Sequence, residues 1–197
     1  SFKKKIFFPK NINELRSLLK EKFIVIGNLR SYNDTIISNG KYISLKKFNK
    51  ITNFNKKNFF IEVESGLTLH ELNKIILKEN LMLPCKPGCK YVSIGGMVAN
   101  NISGKLLINN SLKSHILSIK ILNKKLELIE CSQKKNKKLF NLTIGARGRT
   151  GPIISAKFRL EKIQSSVIFQ KNYNFNNYLK FNKILTRLKK YKYAVCW

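Results

Sequence analysis

Residues 83–105 read LPCKPGCKYVSIGGMVANNISGK. Two prolines and four glycines crowd into this stretch, which carries few charges and no long run of apolar residues at helical spacing. Glycine permits close backbone approach, and glycine-rich turns leave amide N–H groups that can bind anionic oxygens. The stretch therefore predicts backbone that lies against a phosphate-bearing cofactor.

Two more glycine-rich turns lie beside apolar runs. Residues 27–32 read GNLRSY and follow Phe23–Ile26, which we predict to be a buried strand. Residues 145–151 read GARGRTG and precede residues 153–160, which we also predict to be a strand. None of the three turns fits Gly-x-Gly-x-x-Gly between a strand and a helix, or Gly-x4-Gly-Lys-Ser/Thr. The sequence therefore supports neither a Rossmann dinucleotide site nor a P-loop.

The rest of the chain mixes short helical and strand patterns. Residues 11–14 and 68–71 have the form of capping boxes, and each is followed by apolar residues at helical spacing. Further predicted elements are strands at 42–45, 59–63, 116–122 and 126–129, a short helix at 139–140, a final helix at 175–188 and a strand-like end at 193–197. An Asn/Lys-rich connection separates the strands at 42–45 and 59–63. Because a natural terminus seldom ends on an apolar strand, we expect the chain to be truncated.

The chain is strongly basic. Its 39 Lys and Arg against 10 Asp and Glu give a net charge of +29, which favours nucleic acid, an anionic lipid surface or a phosphorylated substrate. The lysines are spread over nearly every segment and form no single stripe interleaved with aromatic residues, so we expect a solvated surface and no specific nucleic-acid partner. No stretch approaches the ~18 apolar residues of a membrane span, and the Lys-rich start lacks a signal-peptide core. We expect a cytoplasmic protein, with peripheral association with an anionic membrane surface as a further candidate.

The cysteines and histidines indicate no metal site. Cys85 and Cys89 form a lone Cys-x3-Cys without a second pair nearby, and His70 and His115 lie far apart in the sequence. We therefore predict reduced structural thiols and no bound metal.

In order and spacing, the three turns resemble the FAD-binding domain of the vanillyl-alcohol oxidase / p-cresol methylhydroxylase (PCMH-type) superfamily. The resemblance covers roughly residues 6–162, and its most specific parts are residues 83–88, 92–101 and Gly104-Lys105, followed by Leu139-Phe140 and the turn at 145–151. Within the superfamily the sequence looks most like the FAD-linked oxidases of the decaprenylphosphoryl-β-D-ribose 2-oxidase type.

The resemblance implies an α+β flavoprotein fold. The expected architecture is a PCMH-type FAD-binding domain at residues 1–162 made of two α+β subdomains, about 1–66 and 67–162. Residues 163–197 would be the beginning of a truncated substrate domain. FAD would extend between the two subdomains, with its pyrophosphate held by backbone amides.

The resemblance also implies the cofactor contacts. The pyrophosphate contacts would be Gly27, Asn28, Leu29, Arg30, Ser31, Ser93, Ile94, Gly95 and Gly96. Asn100, Asn101, Gly104 and Lys105 would run beside the isoalloxazine, and Gly148, Thr150, Gly151, Ile153 and Ile154 would surround the adenine and ribose. Tyr32, Pro87, Gly88, Val92 and Ala99 complete the predicted cofactor-binding set. Tyr32 and Lys105 are the catalytic candidates near the flavin, where a cation would stabilise reduced flavin or a substrate phosphate.

Several positions depart from the family pattern. Relatives that attach FAD through histidine carry Gly-x-Gly-His-Ser, whereas here Arg30 precedes Ser31, so we expect FAD to be held noncovalently. Cys89 falls where berberine-bridge-type relatives form a second covalent link, although a packed thiol is the preferred interpretation. Ser103 replaces the histidine of the His-Gly-Lys that the sugar oxidases carry. Arg149 replaces an apolar residue and meets either a cofactor phosphate or solvent.

Together these features predict an FAD-dependent oxidoreductase. Hydride would pass from a substrate CH–OH to flavin N5, and the substrate would be a sugar, a polyol or a polyprenyl-phosphoryl sugar. Two other classes remain open: a flavin-fold protein that binds without turnover, and a basic nucleic-acid-binding protein.

Overall fold

The computed structural model describes residues 5–31, 40–107 and 111–196. Within them the strands are β1 (Ile6–Phe7), β2 (Phe23–Ile26), β3 (Lys41–Ser44), β4 (Ile51–Asn55), β5 (Phe60–Glu64), β6 (Leu81–Met82), β7 (Ile116–Leu122), β8 (Leu128–Ser132), β9 (Ile153–Arg159) and β10 (Glu161–Lys162). The helices are α1 (Ile12–Leu18), α2 (Leu69–Ile76), α3 (Ile94–Ala99), α4 (Lys137–Thr143) and α5 (Tyr178–Leu188), with 3-10 turns at Leu77–Glu79 and Leu112–His115. This mixture confirms the α+β class.

The first two helices begin where their capping residues predict. Asn11 Oδ1 accepts from the backbone N–H groups of Asn13 and Glu14, each at 3.0 Å, while the Glu14 carboxylate turns back to Lys10 N at 2.8 Å. At α2 the capping box is complete, because Thr68 Oγ1 accepts from Glu71 N and Glu71 Oε2 accepts from Thr68 N at 2.8 Å. Hydrogen bonds from the Thr68 hydroxyl and backbone lower the pKa of Glu71.

A small parallel sheet forms the N-terminal side of the fold. Its strand order is β1-β3-β2, and α1 connects β1 to β2. Leu15 of α1 and Ile43 of β3 are both fully buried in one compact apolar cluster. Leu122 and Ile154, which belong to a second sheet, complete this cluster. The shared cluster therefore packs the two sheets together.

The second sheet has five antiparallel strands in the order β4-β5-β9-β7-β8. Alternate residues on one face, such as Ile61 and Val63, are fully buried in the main core. Three apolar residues of α2 (Leu69, Leu72 and Ile76) and three of α3 (Ile94, Met97 and Val98) pack into the same core. Burial on one face of each element follows from period-2 strands and 3.6-period helices.

Two expectations for local structure were wrong, and one helix was not predicted. Residues 51–55 form β4, a hairpin partner of β5, where the sequence predicted only a connection. Residues 94–99 form α3 despite two glycines, because burial of its apolar side chains outweighs weak helix propensity. In place of the strand expected at 193–197, the described residues 193–196 contain a single isolated bridge, between Tyr193 and Leu106.

Other elements match in kind with shifted ends. The strand expected at 126–129 runs Leu128–Ser132, because Leu126 has a φ of 61° and belongs to the turn. The final helix is Tyr178–Leu188 and begins after Asn177, whose side chain accepts from Lys180 N. The β4–β5 hairpin belongs to the five-stranded sheet, so the sheets divide earlier than residue 66; the domain boundaries themselves stay a prediction.

In the part of the chain that the structure describes, no helix is long and apolar enough to cross a membrane.

A turn after β5 ties these parts to one another. Gly66 N donates to Phe48 O at 2.7 Å, and Ser65 N donates to Ile154 O at 2.9 Å. A Cβ on Gly66 would lie 2.0 Å from the carbonyl oxygen of Leu45 and 2.8 Å from that of Phe48. Both oxygens belong to backbone, which cannot give way as a flexible side chain can.

Gly66→Ala should therefore lower the free energy of unfolding by at least ~3 kcal/mol, or prevent folding, because the new methyl group overlaps backbone. Urea denaturation followed by circular dichroism measures the change. Gly88→Ala is the matched control, since a Cβ there meets nothing within 4 Å, and should change stability by less than ~1 kcal/mol. Equal stability of the two variants would contradict this account of the turn.

Candidate functional site

A cleft of about 450 Å³ opens where the two sheets meet α3. Its lining includes residues that follow the carboxyl ends of the parallel strands β2 and β3, such as Gly27 and Lys46. The carboxyl edge of parallel strands is where α/β sheets commonly bind ligands. The volume also falls within the range of roughly 300–1,000 Å³ typical of small-molecule and cofactor sites.

The cleft brings together all three glycine-rich turns. The predicted cofactor residues that line it are Gly27, Asn28, Leu29, Arg30, Ser31, Pro87, Gly88, Val92, Ser93, Gly95, Gly96, Ala99, Asn100, Gly148, Gly151 and Ile153. Residues separated by more than a hundred positions in sequence thus share one surface. That convergence is what the order of the motifs predicts, while their individual roles as cofactor ligands stay a prediction.

Other predicted residues lie away from the lining. Ile94 and Ile154 are core residues of the two apolar clusters. Asn101 Oδ1 accepts from Ser111 Oγ and Lys113 N, and Gly104 packs against Cys85. Lys105 has an exposed side chain, and its carbonyl accepts from Ala194 N.

Two remaining candidates have different outcomes. Thr150 carries a buried hydroxyl that makes no hydrogen bond within the described chain and does not line the cleft. Tyr32 lies outside the described residues.

Several lining residues escaped the sequence analysis. They lie at the ends of strands, in the turns or in α3: Ser44, Leu45, Lys46, Ser65, Gly66, Met97, Ile102, Arg147 and Pro152, together with Ile24, Val25 and Ile26 of β2. Their position in the sequence could have predicted several of them, because residues that directly follow neighbouring parallel strands lie at the same edge of a sheet. Arg147 carried no such signal, since it lies between glycines in a turn.

The turns touch each other closely, which explains why glycines occupy them. A Cβ on Gly27 would lie 2.6 Å from Ser93 Oγ, and a Cβ on Gly95 would lie 2.8 Å from Ser65 Cβ. Glycine here serves the packing of turn against turn as well as any approach to a ligand.

Three amide N–H groups of the second turn, those of residues 94–96, are used by the fold. Gly95 N donates to Ser65 O at 2.7 Å, and Gly96 N donates to Ser93 Oγ at 3.3 Å. Ile94 N donates to Leu67 O at 2.9 Å. The expectation that these three amides are free is therefore wrong, because they fix α3 to its neighbours.

The first turn differs. The backbone N–H groups of residues 28–31 donate to no acceptor in residues 5–31, 40–107 or 111–196. Consecutive N–H groups of this kind can bind an anionic oxygen. The Asn28 side chain fastens the turn to the second one, because its Nδ2 donates to Tyr91 O at 3.1 Å.

The charged side chains that line the cleft are all basic. They are Arg30, Lys46 and Arg147, each exposed, and no Asp or Glu of the described residues lines the cleft. Neither arginine forms an ion pair with another described side chain. Arg147 also has a φ of 54°, a left-handed conformation that costs a non-glycine residue roughly 1–2 kcal/mol. The local field favours an anionic ligand.

The four cysteines divide into two pairs by exposure. Cys85 and Cys131 are buried, and burial raises the pKa of each thiol to about 11. Cys89 and Cys196 are exposed, and Cys89 lines the cleft. Among the described residues, no group of three or more His, Cys, Asp or Glu could hold a metal ion.

These observations fit a dinucleotide cofactor with a pyrophosphate. The fit rests on a row of open amides, a basic lining without carboxylates, and a buried Ser65 hydroxyl on the cleft that lacks a partner in the described chain.

Comparison with known families agrees with this fit. A sequence model of the FAD binding domain family matches residues 4–132, well over half of the chain. The chain belongs to this family, and its cofactor is FAD. The resemblance to PCMH-type FAD-linked oxidases is thereby confirmed.

Similar proteins are dehydrogenases and oxidases. The D-lactate dehydrogenase of Anaerostipes hadrus is 30% identical over 138 residues, which is 67% of this chain and 29% of that protein. The D-arabinono-1,4-lactone oxidase of Yarrowia lipolytica is 24% identical over 163 residues, 78% of this chain and 31% of that protein. The decaprenylphosphoryl-beta-D-ribose oxidase of Mycolicibacterium smegmatis is 27% identical over 140 residues, 70% of this chain and 30% of that protein. The chain thus spans less than a third of each of these relatives.

Thiol labelling should separate the two pairs of cysteines. At pH 8, Cys89 and Cys196 should react rapidly with an aromatic disulfide reagent, whereas Cys85 and Cys131 should react only on unfolding, because a pKa of about 11 leaves very little thiolate. Absorbance of the released thiolate counts the fast thiols.

Cys89→Ser is the control for this labelling and should remove one fast thiol. Added FAD should slow the reaction of Cys89 and leave that of Cys196 unchanged, since only Cys89 lines the cleft. If all four thiols react at one rate, the burial of Cys85 and Cys131 is misassigned.

Proposed function

We propose that this chain holds FAD noncovalently in the cleft and is the cofactor-binding part of an FAD-dependent oxidoreductase acting on a CH–OH group. The carrying observation is the convergence of three glycine-rich turns on one basic cleft without carboxylates. When bound, FAD supplies a hydride acceptor at flavin N5. The substrate class we propose is a sugar, a polyol or a polyprenyl-phosphoryl sugar, in keeping with relatives named as oxidases of lactones and of a phosphoryl ribose.

The chain's own residues supply binding and orientation. Backbone N–H groups of residues 28–31 would donate to phosphate oxygens, and the side chains of Arg30 and Arg147 would balance their charge. Lys105 and Tyr32 remain the candidates for contact with the flavin or the substrate. Lys105 lies on the segment that also pairs with the C-terminal residues.

Noncovalent attachment is part of the proposal. Arg30 occupies the position before Ser31 where a histidyl-flavin link would need histidine. Cys89 is exposed on the cleft, so a cysteinyl link through it is the one covalent alternative.

We further propose that residues 163–197 begin a substrate domain. α5 contains no buried residue, and Tyr178 and Leu179 are 72% and 75% exposed. Val167, Ile168 and Phe169 are likewise open to solvent, at 80%, 72% and 93% exposed. Apolar side chains exposed to this extent support a role in packing against further polypeptide, as expected for a chain spanning less than a third of its relatives.

The partner and location proposals rest on charge. Every charged residue between 163 and 196 is Lys or Arg, which favours an anionic membrane surface or a lipid-linked phosphate as a neighbour. A cytoplasmic location with peripheral membrane contact is the corresponding proposal.

A flavin-fold protein without turnover is the second candidate. It is favoured by Ser103, which replaces the histidine found beside the flavin in the sugar oxidases. Anaerobic addition of sugars, polyols or lactones separates the two: substrate-dependent loss of flavin absorbance supports the oxidoreductase, and unchanged absorbance supports the binding protein.

The purified protein should be yellow, with flavin bands near ~450 nm, and acid precipitation should release FAD into the supernatant. Absorbance spectra before and after precipitation measure both results. If the pellet of the unchanged protein is yellow and that of Cys89→Ser is colourless, FAD is attached covalently through Cys89. A colourless protein that takes up no added FAD would refute the proposed function and leave the basic nucleic-acid binder as the alternative.

Arg147→Gly should have opposite effects on stability and on FAD binding. Relief of the left-handed strain should raise the free energy of unfolding of the apoprotein by about 0.5–1 kcal/mol. Loss of a cation from the cleft should weaken FAD binding by about threefold or more and reduce its salt dependence. Thermal unfolding and fluorescence titration at two salt concentrations measure the two effects.

Arg149→Gly is the matched control, because Arg149 lies in the same turn with ordinary φ and does not line the cleft. It should be less stable and bind FAD as the unchanged protein does. Weaker FAD binding in Arg149→Gly alone would reverse the assignment of the two arginines.

A further inference from the structure

The Ser65 hydroxyl is a buried polar group on the wall of the cleft. Ser65 is 3% exposed and lines the cleft, and its Oγ makes no hydrogen bond within the described chain. A buried hydroxyl without a partner destabilises a fold, so native proteins keep few of them. Its presence here calls for a ligand that supplies the missing partner.

The backbone on both sides of this hydroxyl is fixed. Ser65 N donates to Ile154 O at 2.9 Å, and Ser65 O accepts from Gly95 N at 2.7 Å. Gly95 is packed so closely that a Cβ there would lie 2.8 Å from Ser65 Cβ. These contacts fix the backbone and the Cβ of Ser65 at the cleft before any ligand binds, so the hydroxyl cannot move away with the backbone to find another partner.

The surroundings select the chemistry of the ligand. The Lys and Arg side chains of the cleft lining are Arg30, Lys46 and Arg147, with no carboxylate from the described residues to compete for them. An anionic oxygen is the acceptor that this environment favours, and a hydroxyl that donates to an anion forms a shorter and stronger hydrogen bond than one to a neutral group.

We propose that Ser65 Oγ donates a hydrogen bond to a phosphate oxygen of the FAD pyrophosphate. This inference rests on the proposed function, since it needs FAD in the cleft. Ser65 is then a binding residue that the glycine-rich motifs do not contain. It directly follows β5 and reaches the cofactor from the five-stranded sheet.

The test is Ser65→Ala, which removes only the Oγ atom. Titration of apoprotein with FAD, followed by flavin fluorescence, should give a Kd about three- to tenfold weaker than that of the unchanged protein. Thermal unfolding of the apoprotein should give the same Tm or a higher one, because a buried group without a partner has been removed. A purely structural serine would lower the apoprotein Tm instead.

The matched control is Ser118→Ala. Ser118 is a buried serine of β7, 8% exposed, that does not line the cleft. It should leave the Kd for FAD unchanged. Phosphorus-31 NMR of protein saturated with FAD adds a second readout: Ser65→Ala should shift a pyrophosphate resonance, and Ser118→Ala should not.

The outcomes separate this inference from the proposed function. If the unchanged protein binds no FAD, the proposed function fails and the Ser65 contact fails with it. If the unchanged protein binds FAD and Ser65→Ala binds it within twofold with the same phosphorus spectrum, only the Ser65 contact is overturned. Should Ser65→Ala not fold, Ser65→Cys replaces the hydroxyl with a slightly larger thiol that is a weaker donor, and affinity equal to that of the unchanged protein would overturn the proposal in the same way.

Discussion

The backbone turn at Ser65 and Gly66 is the constraint on which the site depends. Its N–H and C=O groups reach three parts of the chain: Phe48 after β3, Ile154 in β9 and Gly95 in α3. Because Gly66 has no Cβ, the turn can lie against the Leu45 carbonyl. The carboxyl ends of β3 and β5 and the start of α3 are thereby held at one place. The wall of the cleft is therefore a consequence of how the two sheets are joined.

The other turns extend the same arrangement. At the carboxyl end of α3, Gly145 N donates to Val98 O at 3.1 Å and Arg147 N donates to Ala99 O at 2.8 Å. Both bonds fix the third turn to α3, and the second satisfies a carbonyl, that of Ala99, which the helix end leaves open. Residues 94–96 of the second turn and most residues of the third turn thus use their amides within the fold. In the first turn, the N–H groups of residues 28–31 donate to no acceptor in the described chain and are available to bind a phosphate.

Local signals in the sequence were enough for some parts of this structure and insufficient for others. Capping residues located α1 and α2, and apolar runs located β2, β5, β7 and β9, because both signals act over a few residues. α3 and β4 depend on packing against distant segments, and their own residues favour these elements only weakly. Motif order predicted that the glycine turns converge. Ser65 and Arg147 could not be predicted, since burial without a partner and a left-handed φ are properties of the folded chain.

The elements around the proposed cofactor cleft and the proposed start of the substrate domain differ in how well they are packed in the described chain. The cleft is formed by elements that all pack into the two apolar clusters, whereas α5 contributes no buried residue. Residues 192–194, which follow α5, contact the rest of the fold at a few places. Ala194 N donates to Lys105 O, Tyr193 packs on the main core, and Lys192 forms an ion pair with Glu161. Lys105, a catalytic candidate, is therefore hydrogen-bonded to the segment that follows α5. In the proposed enzyme, polypeptide that packed on the apolar side chains of α5 would contact a helix only a few residues before the segment that pairs with Lys105 and Leu106.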